Sequence, residues 1–139
     1  MGRPSAIRGD RVLVVDEPGE RDLLEQALEM AGYQVDVADD GEAGLIIAAM
    51  RTPAAAIIDL GVPIIDGCLL GESMRGVFGK RIRLIAVTSR DEPDGRERSL
   101  TAGFDIHLVK PVSPNRVTQT LRQLLAHGPA GADRGVLTV

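Results

Sequence analysis

The sequence is short of aromatic residues: 139 residues include no Trp, one Tyr and two Phe, 2% in all. Any core must therefore come from Val, Ile, Leu and Ala, the residues of parallel strands covered by helices. There is one cysteine, Cys68, which excludes an internal disulfide framework and fits a reducing compartment. No apolar run approaches the ~18 residues of a membrane span. A signal-peptide core is also lacking, because Val12–Val15 is short and stops at Asp16. Met1-Gly2 is followed at position six by Ala6, where N-myristoylation wants Ser or Thr. A soluble cytoplasmic protein is expected. Nor is there a basic stripe, since the net charge is −4 with acids and bases interspersed, so nucleic acid is not expected as a direct ligand.

Apolar residues make up 44% of the chain, enough at this length for one domain with a doubly packed core. Residues 1–10 read as a flexible arm, 11–126 as the domain and 127–139 as a flexible tail. Val12–Val15 is the first strand. A helix follows over Glu20–Ala31, with Leu24, Ala27, Leu28 and Ala31 on one face and Gly32 as its stop. Gln34–Ala38 is a second strand, and Asp40 caps a helix to about Arg51. Ala54–Ile58 is an apolar run ended by Asp59, then the turn Leu60–Gly67. Asp66-Gly67 opens a helix through about Arg75, ending near Gly76 and Gly79. Ile82–Thr88 is the fourth strand. Asp91 and Pro93 start a short helix that Gly103 ends. Ile106–Val109 is the fifth strand, closed by Lys110-Pro111. Ser113 caps the last helix, with Val117, Leu121, Leu124 and Leu125 as its buried stripe. Strands alternating with helices in this way require a parallel sheet with right-handed crossovers.

Ligands of parallel α/β sheets bind in the crevice outside the carboxyl ends of the strands. There the chain places Asp16, Asp59, Thr88 and Lys110, from strands one, three, four and five. Each has a plain reading: Asp16 and Asp59 cap turns, and Thr88 is a structural strand end. Lys110 is harder to explain that way, because the chain uses Arg fourteen times and Lys only at Lys80 and Lys110. Together the four suit a phosphoacceptor. Asp59 is a carboxylate able to take a phosphoryl group. Asp16 and Asp59, with the Gly61 carbonyl, can hold the Mg²⁺ that lets one anion approach another. Lys110 and Thr88 offer a compact charge and a hydroxyl to the phosphoryl oxygens.

Asp59-Leu60-Gly61-Val62-Pro63-Ile64-Ile65-Asp66-Gly67, Val87-Thr88 and Ala102 through Pro111 resemble the receiver domain of two-component response regulators. The likeness covers about Arg11 to Ala126. It implies a flavodoxin-like, five-stranded parallel sheet in the order 2-1-3-4-5, with helices on both faces. It implies phosphorylation of Asp59 from a histidine kinase or histidine phosphotransfer protein, Mg²⁺ as cofactor, and contacts from Thr88 and Lys110 to the phosphoryl group. A cis Lys110–Pro111 bond is also implied. So is a switch, in which a shift of the Thr88 hydroxyl and a rotation at the aromatic position, here His107, signal through helix four, strand five and helix five. That face is also a candidate homodimer surface, and the downstream target is a protein. Residues Gly103–Pro111 look more like receivers of hybrid kinases than those of DNA-binding regulators, and a single-domain regulator is the other possibility.

The pattern breaks after strand one, where receivers usually show two adjacent acids. Matching the strand makes Asp16 and Glu17 that pair, with a shortened loop. Matching Pro18 and Arg21 instead makes Asp16 the direct ligand and puts Val15 at the first acid; this alignment needs no gap and is preferred. Glu17 is then a further candidate ligand. Arg90 falls at the mouth of the site. The alternative to a working phosphoacceptor is a degenerate receiver, a protein-interaction module independent of phosphorylation. A dinucleotide enzyme is excluded because Asp16-Glu17-Pro18-Gly19 is not the glycine-rich turn it needs. Aspartate-nucleophile phosphatases typically carry a second Asp two residues on, where this chain has Gly61. The chemistry expected is self-phosphorylation and dephosphorylation with Mg²⁺, not enzymatic turnover.

Overall fold

Val12, Leu13, Val14 and Val15 have no exposed surface and form the centre of β1 (Arg11–Val15). A continuous Val/Leu run suits a strand covered on both faces. The structure, a computed structural model, describes residues 10–92 and 94–126 and the backbone of Leu137–Thr138. β2 (Gln34–Ala38) pairs with one edge of β1, and β3 (Ala55–Asp59) with the other. β4 (Arg83–Thr88) and β5 (Ile106–Val109) continue from β3, every pairing parallel. The five strands thus follow the expected order 2-1-3-4-5. A two-residue β6 (Leu137–Thr138) lies beyond them, in register with Ile106 and His107, on the edge that β5 would otherwise leave open. It comes from the stretch expected to be a loose tail, of which 127–136 lie outside the described residues. The arm expected over 1–10 also lies outside them, apart from Asp10.

Five helices cover the sheet: α1 (Pro18–Met30), α2 (Gly41–Arg51), α3 (Gly67–Phe78), α4 (Gly95–Ala102) and α5 (Pro114–Ala126). Strand side chains alternate between the two faces. Leu13, Val15, Ile58, Leu84 and Ala86 pack in one layer with Leu70 and Met74 of α3 and with Phe104. Val12, Val14, Ile57, Val87 and Leu108 pack in the other with Leu24 and Leu28 of α1 and Val117 and Leu121 of α5. Leu124 and Leu125 join that layer partly buried. Asp40 caps α2 through a 2.8 Å bond from the Ala43 amide, and Ser113 accepts from the Arg116 amide at the start of α5.

Two helix starts differ from expectation. α1 begins at Pro18, two residues before Glu20, because proline at the first helical position gives up no needed hydrogen bond. α4 begins only at Gly95. Asp94 precedes it in the left-handed region (φ 55°), and the Glu92 amide bonds back to the Ser89 carbonyl at 3.1 Å, so Asp91 and Glu92 belong to a turn. Pro93, expected to open that helix, lies outside the described residues.

Candidate functional site

Because all the strands run the same way, their carboxyl ends form one rim, and the side chains that leave β1, β3 and β5 there converge. Asp59 is the last residue of β3. Its Oδ1 accepts from the Gly61 amide at 2.8 Å, and its Oδ2 from Lys110 Nζ at 2.9 Å. Lys110 follows β5; its amide bonds the Thr88 carbonyl at 2.8 Å, which anchors the residue to the end of β4. The Lys110–Pro111 peptide is cis, as the sequence resemblance implied. Lys110 Nζ also lies 3.3 Å from Asp16 Oδ1 and forms an ion pair with Glu20.

Asp16 is the first residue past β1 and is buried. Its amide bonds the Ala38 carbonyl at 3.1 Å, and its Oδ1 accepts from the Glu17 amide at 2.7 Å. Glu17 is exposed at the start of α1, while Val15 lies wholly in the core. Carboxylate oxygens of Asp16, Glu17 and Glu20 lie within 4.8 Å of one another. Glu20 was not singled out from the sequence. The sequence carries no sharp signal for it, since it is one acid in the first turn of a helix.

The electrostatics follow from this crowding. Burial, reinforced by the neighbouring Asp59, pushes the Asp16 carboxyl up to about 7. Burial pulls Asp59 the same way, but the hydrogen bonds from Lys110 and from the Gly61 amide outweigh it, and its pKa falls. Burial works against the Lys110 ammonium, but its bonds to Glu20 and Asp59 prevail and raise its pKa. Three carboxylates, Asp16, Glu20 and Asp59, thus meet one ammonium, and Glu17 lies beside Asp16 and Glu20. An all-oxygen donor set with surplus negative charge fits a hard divalent cation.

Thr88 ends β4 next to this group, but its hydroxyl is turned inward. Thr88 Oγ1 lies 2.8 Å from His107 Nε2 on β5, and both residues are buried. Among the described residues no hydrogen bond joins the Thr88 hydroxyl to Asp59 or Lys110. Of the residues expected at the rim, the structure therefore brings Asp16, Asp59 and Lys110 into direct contact and pairs Thr88 with His107. Gly61 meets Asp59 through its amide. Beside the rim runs a crevice of about 400 Å³, lined by Glu20, Leu23, Arg90, Lys110 and Pro111 among others.

A parallel sheet in this order, with acids leaving strands one and three and a lysine leaving strand five, defines a CheY-like receiver fold. The chain belongs to the response regulator receiver domain family, whose model matches residues 12–122. It is thus a receiver domain of the two-component kind. It is 34% identical over 116 residues to the response regulator MprA of Mycobacterium tuberculosis, covering 83% of this chain and 50% of that protein. With the transcriptional regulatory protein HprR of Escherichia coli it shares 33% over 117 residues, 84% of this chain and 52% of that one. The chain thus spans about half the length of these relatives. Among solved structures, a CheY-like receiver domain protein from Methanospirillum hungatei matches with a TM-score of 0.79 at 28% identity, over 85% of this chain and 94% of its own. The receiver domain of a signal transduction histidine kinase from Syntrophus aciditrophicus matches with 0.77 at 26% identity, over 86% and 92%. Among the described residues no helix is long and apolar enough to cross a membrane.

Proposed function

We propose that this receiver accepts a phosphoryl group on Asp59 from a histidine kinase or histidine phosphotransfer protein. The observation that carries the reading is Lys110 Nζ set 2.9 Å from Asp59 Oδ2 while also contacting Asp16. An Asp59 carboxylate oxygen attacks phosphorus, the bond from phosphorus to the donor nitrogen breaks, and the donor imidazole keeps that electron pair. Asp59 is ready for this because Lys110 and the Gly61 amide hold it ionised. Lys110 can follow a phosphoryl oxygen without leaving the rim, since its backbone is tied to β4. Asp16 and Asp59 would hold Mg²⁺, with the Gly61 carbonyl as a third ligand and Glu17 as a further one. The metal supplies positive charge between the incoming phosphoryl anion and its acceptor.

The output face we assign is α4, β5 and α5. Gly95 of α4 packs on Thr88, where a Cβ would come within 3.1 Å of the Thr88 Cγ2. His107 of β5 is hydrogen-bonded to the Thr88 hydroxyl. A change at Thr88 therefore reaches both elements directly. Leu100 of α4 and Val109 of β5 are exposed apolar side chains, suited to a protein target or a second copy.

The test is intact-mass measurement with Mg²⁺ and acetyl phosphate. One phosphoryl mass should be gained, and lost again in Asp59→Asn. No adduct with either this donor or a cognate kinase would favour the phosphorylation-independent interaction module instead.

A further inference from the structure

The acceptor rim uses the carboxyl ends of the strands, and the amino ends of the same sheet carry a charge of the other sign. Arg11 starts β1, Arg51 ends α2, and Arg81 closes a single 3₁₀ turn (Gly79–Arg81) ahead of β4. Far apart in the chain, the three line one pocket of about 480 Å³. The rest of its lining is neutral: Thr52, Pro53, Ala54 and Phe78. The chain as a whole has 20 acids against 16 basic residues, so three guanidiniums without a carboxylate reverse the sign locally.

Contacts within the protein leave most of that charge unanswered. Arg11 pairs with Asp36 at 3.1 Å and reaches Gln34 Oε1 at 2.7 Å. Arg81 donates its Nε to the Phe78 carbonyl at 3.2 Å and pairs with no carboxylate among the described residues. The Arg51 side chain makes neither a hydrogen bond nor an ion pair among them.

Thr52 bends the chain at the pocket. It ends α2 in the left-handed region (φ 44°, ψ 66°), where helices commonly place Gly and sometimes Asn, and where a β-branched residue is an outlier. Strain of this kind clusters at ligand clamps and other functional sites. Here the bend lets Arg51 and Pro53, on either side of it, line the same pocket.

Guanidinium forks match phosphate oxygens two at a time and keep their charge at neutral pH. Phe78 and Pro53 add apolar surface for a flat ring, and the volume falls within the range of small-molecule sites, about 300–1,000 Å³. A nucleic-acid backbone would need a stripe of positive charge, whereas the net charge is −4 and the three arginines share one pocket.

We infer that this pocket binds a nucleoside triphosphate, with its phosphates on Arg51 and Arg81, Arg11 alongside, and its base against Phe78. The site lies at the opposite end of the sheet from Asp59 and stands or falls apart from the phosphoacceptor reading.

The experiment titrates ATP into the full chain without Mg²⁺, followed by calorimetry and by backbone amide shifts in NMR spectra. Binding should saturate with a Kd below about 1 mM. Shifts should centre on Thr52, Ala54 and Phe78 and spare Asp59 and Gly61. Arg51→Gln and Arg81→Gln should each weaken binding about tenfold, the loss of a hydrogen bond to a charged group. Arg116→Gln, at an exposed position of α5, should leave it unchanged. Inorganic tripolyphosphate has no base to stack and should bind at least about fivefold more weakly than ATP. The inference is overturned by a lack of saturable binding, by shifts centred on the acceptor rim, or by an equal loss in Arg116→Gln. Tripolyphosphate binding as tightly as ATP overturns it too, because the base would then contribute nothing.

Discussion

The Lys110 ammonium reaches from the end of β5 past the end of β4 to lie 2.9 Å from Asp59 Oδ2 at the end of β3. It occupies the centre of the carboxylates as a built-in cation. Lys110→Ala should therefore act in opposite directions on two measurements. Phosphoryl gain should fall at least about tenfold, because a charge-assisted bond to the reacting group is lost. Mg²⁺ should bind more tightly, because a competing positive charge has gone. Rate measurements with acetyl phosphate and a metal titration of the same variant check both. A parallel fall in the two would mean that Lys110 only holds the rim together.

The acids around that ammonium differ in burial, so their removal should not cost alike. Asp16→Ala should weaken Mg²⁺ binding far more than Glu17→Ala, since Asp16 is buried and contacts Lys110 while Glu17 is exposed. Equal losses in a calorimetric titration would make Glu17 a ligand on a par with Asp16 and favour the alignment with the shortened loop. Glu20→Gln adds a separate control, because it removes an ion pair with Lys110.

Gly67 lies where α3 starts against the strand that carries the acceptor. A Cβ there would lie 2.5 Å from the Leu60 Cα and 2.7 Å from the Asp59 carbonyl oxygen, and backbone cannot step aside as a side chain can. Gly67→Ala should cost about 3 kcal/mol, the upper part of the range for overpacking, in urea unfolding. It should also slow phosphoryl uptake by displacing Asp59. Gly19→Ala on α1 meets nothing within 4 Å and should be neutral or stabilising by up to about 1 kcal/mol. Equal stabilities would show that α3 can slide.

His107 gives a pH dependence of defined sign. Its folded pKa is lowered by burial and by Arg96, so the unfolded chain takes up a proton more readily than the folded one. Stability from this residue is complete above the unfolded histidine value of about 6.5 and is lost as pH falls from there through the folded pKa. Thermal melts of His107→Phe should lose that part of the acid-side decline. His127→Asn serves as the second-histidine control. An identical pH profile for wild type and His107→Phe would mean that the ring is protonated at no cost.

Much of this was legible in the chain before any coordinates. The strand of residues 12–15 is an unbroken apolar run, and such a run closed by polar residues has few alternatives to a buried strand. β2 and β5 have their expected bounds because both are short and flanked by turn residues. The start of α4 was not legible. Asp91, Glu92 and Pro93 carry helix-start chemistry, yet Asp94 adopts a left-handed conformation and Glu92 pairs with Arg98, a contact made in three dimensions. Glu20 was missed for a related reason. As an acid in a first helical turn it is ordinary, and it becomes part of the site only when Lys110, ninety residues away, arrives beside it.

By itself the sequence determined the alternation of strands and helices and the acid at the mouth of the third strand. Those features depend on the period and polarity of neighbouring residues, which local sterics translate directly into backbone. Only the tertiary structure decided that Lys110 grips Asp59 and Asp16 at once, and that the Thr88 hydroxyl turns to His107 and away from the rim. Such choices depend on strand order, register and side-chain rotamer, and none of these is set by residues adjacent in the chain.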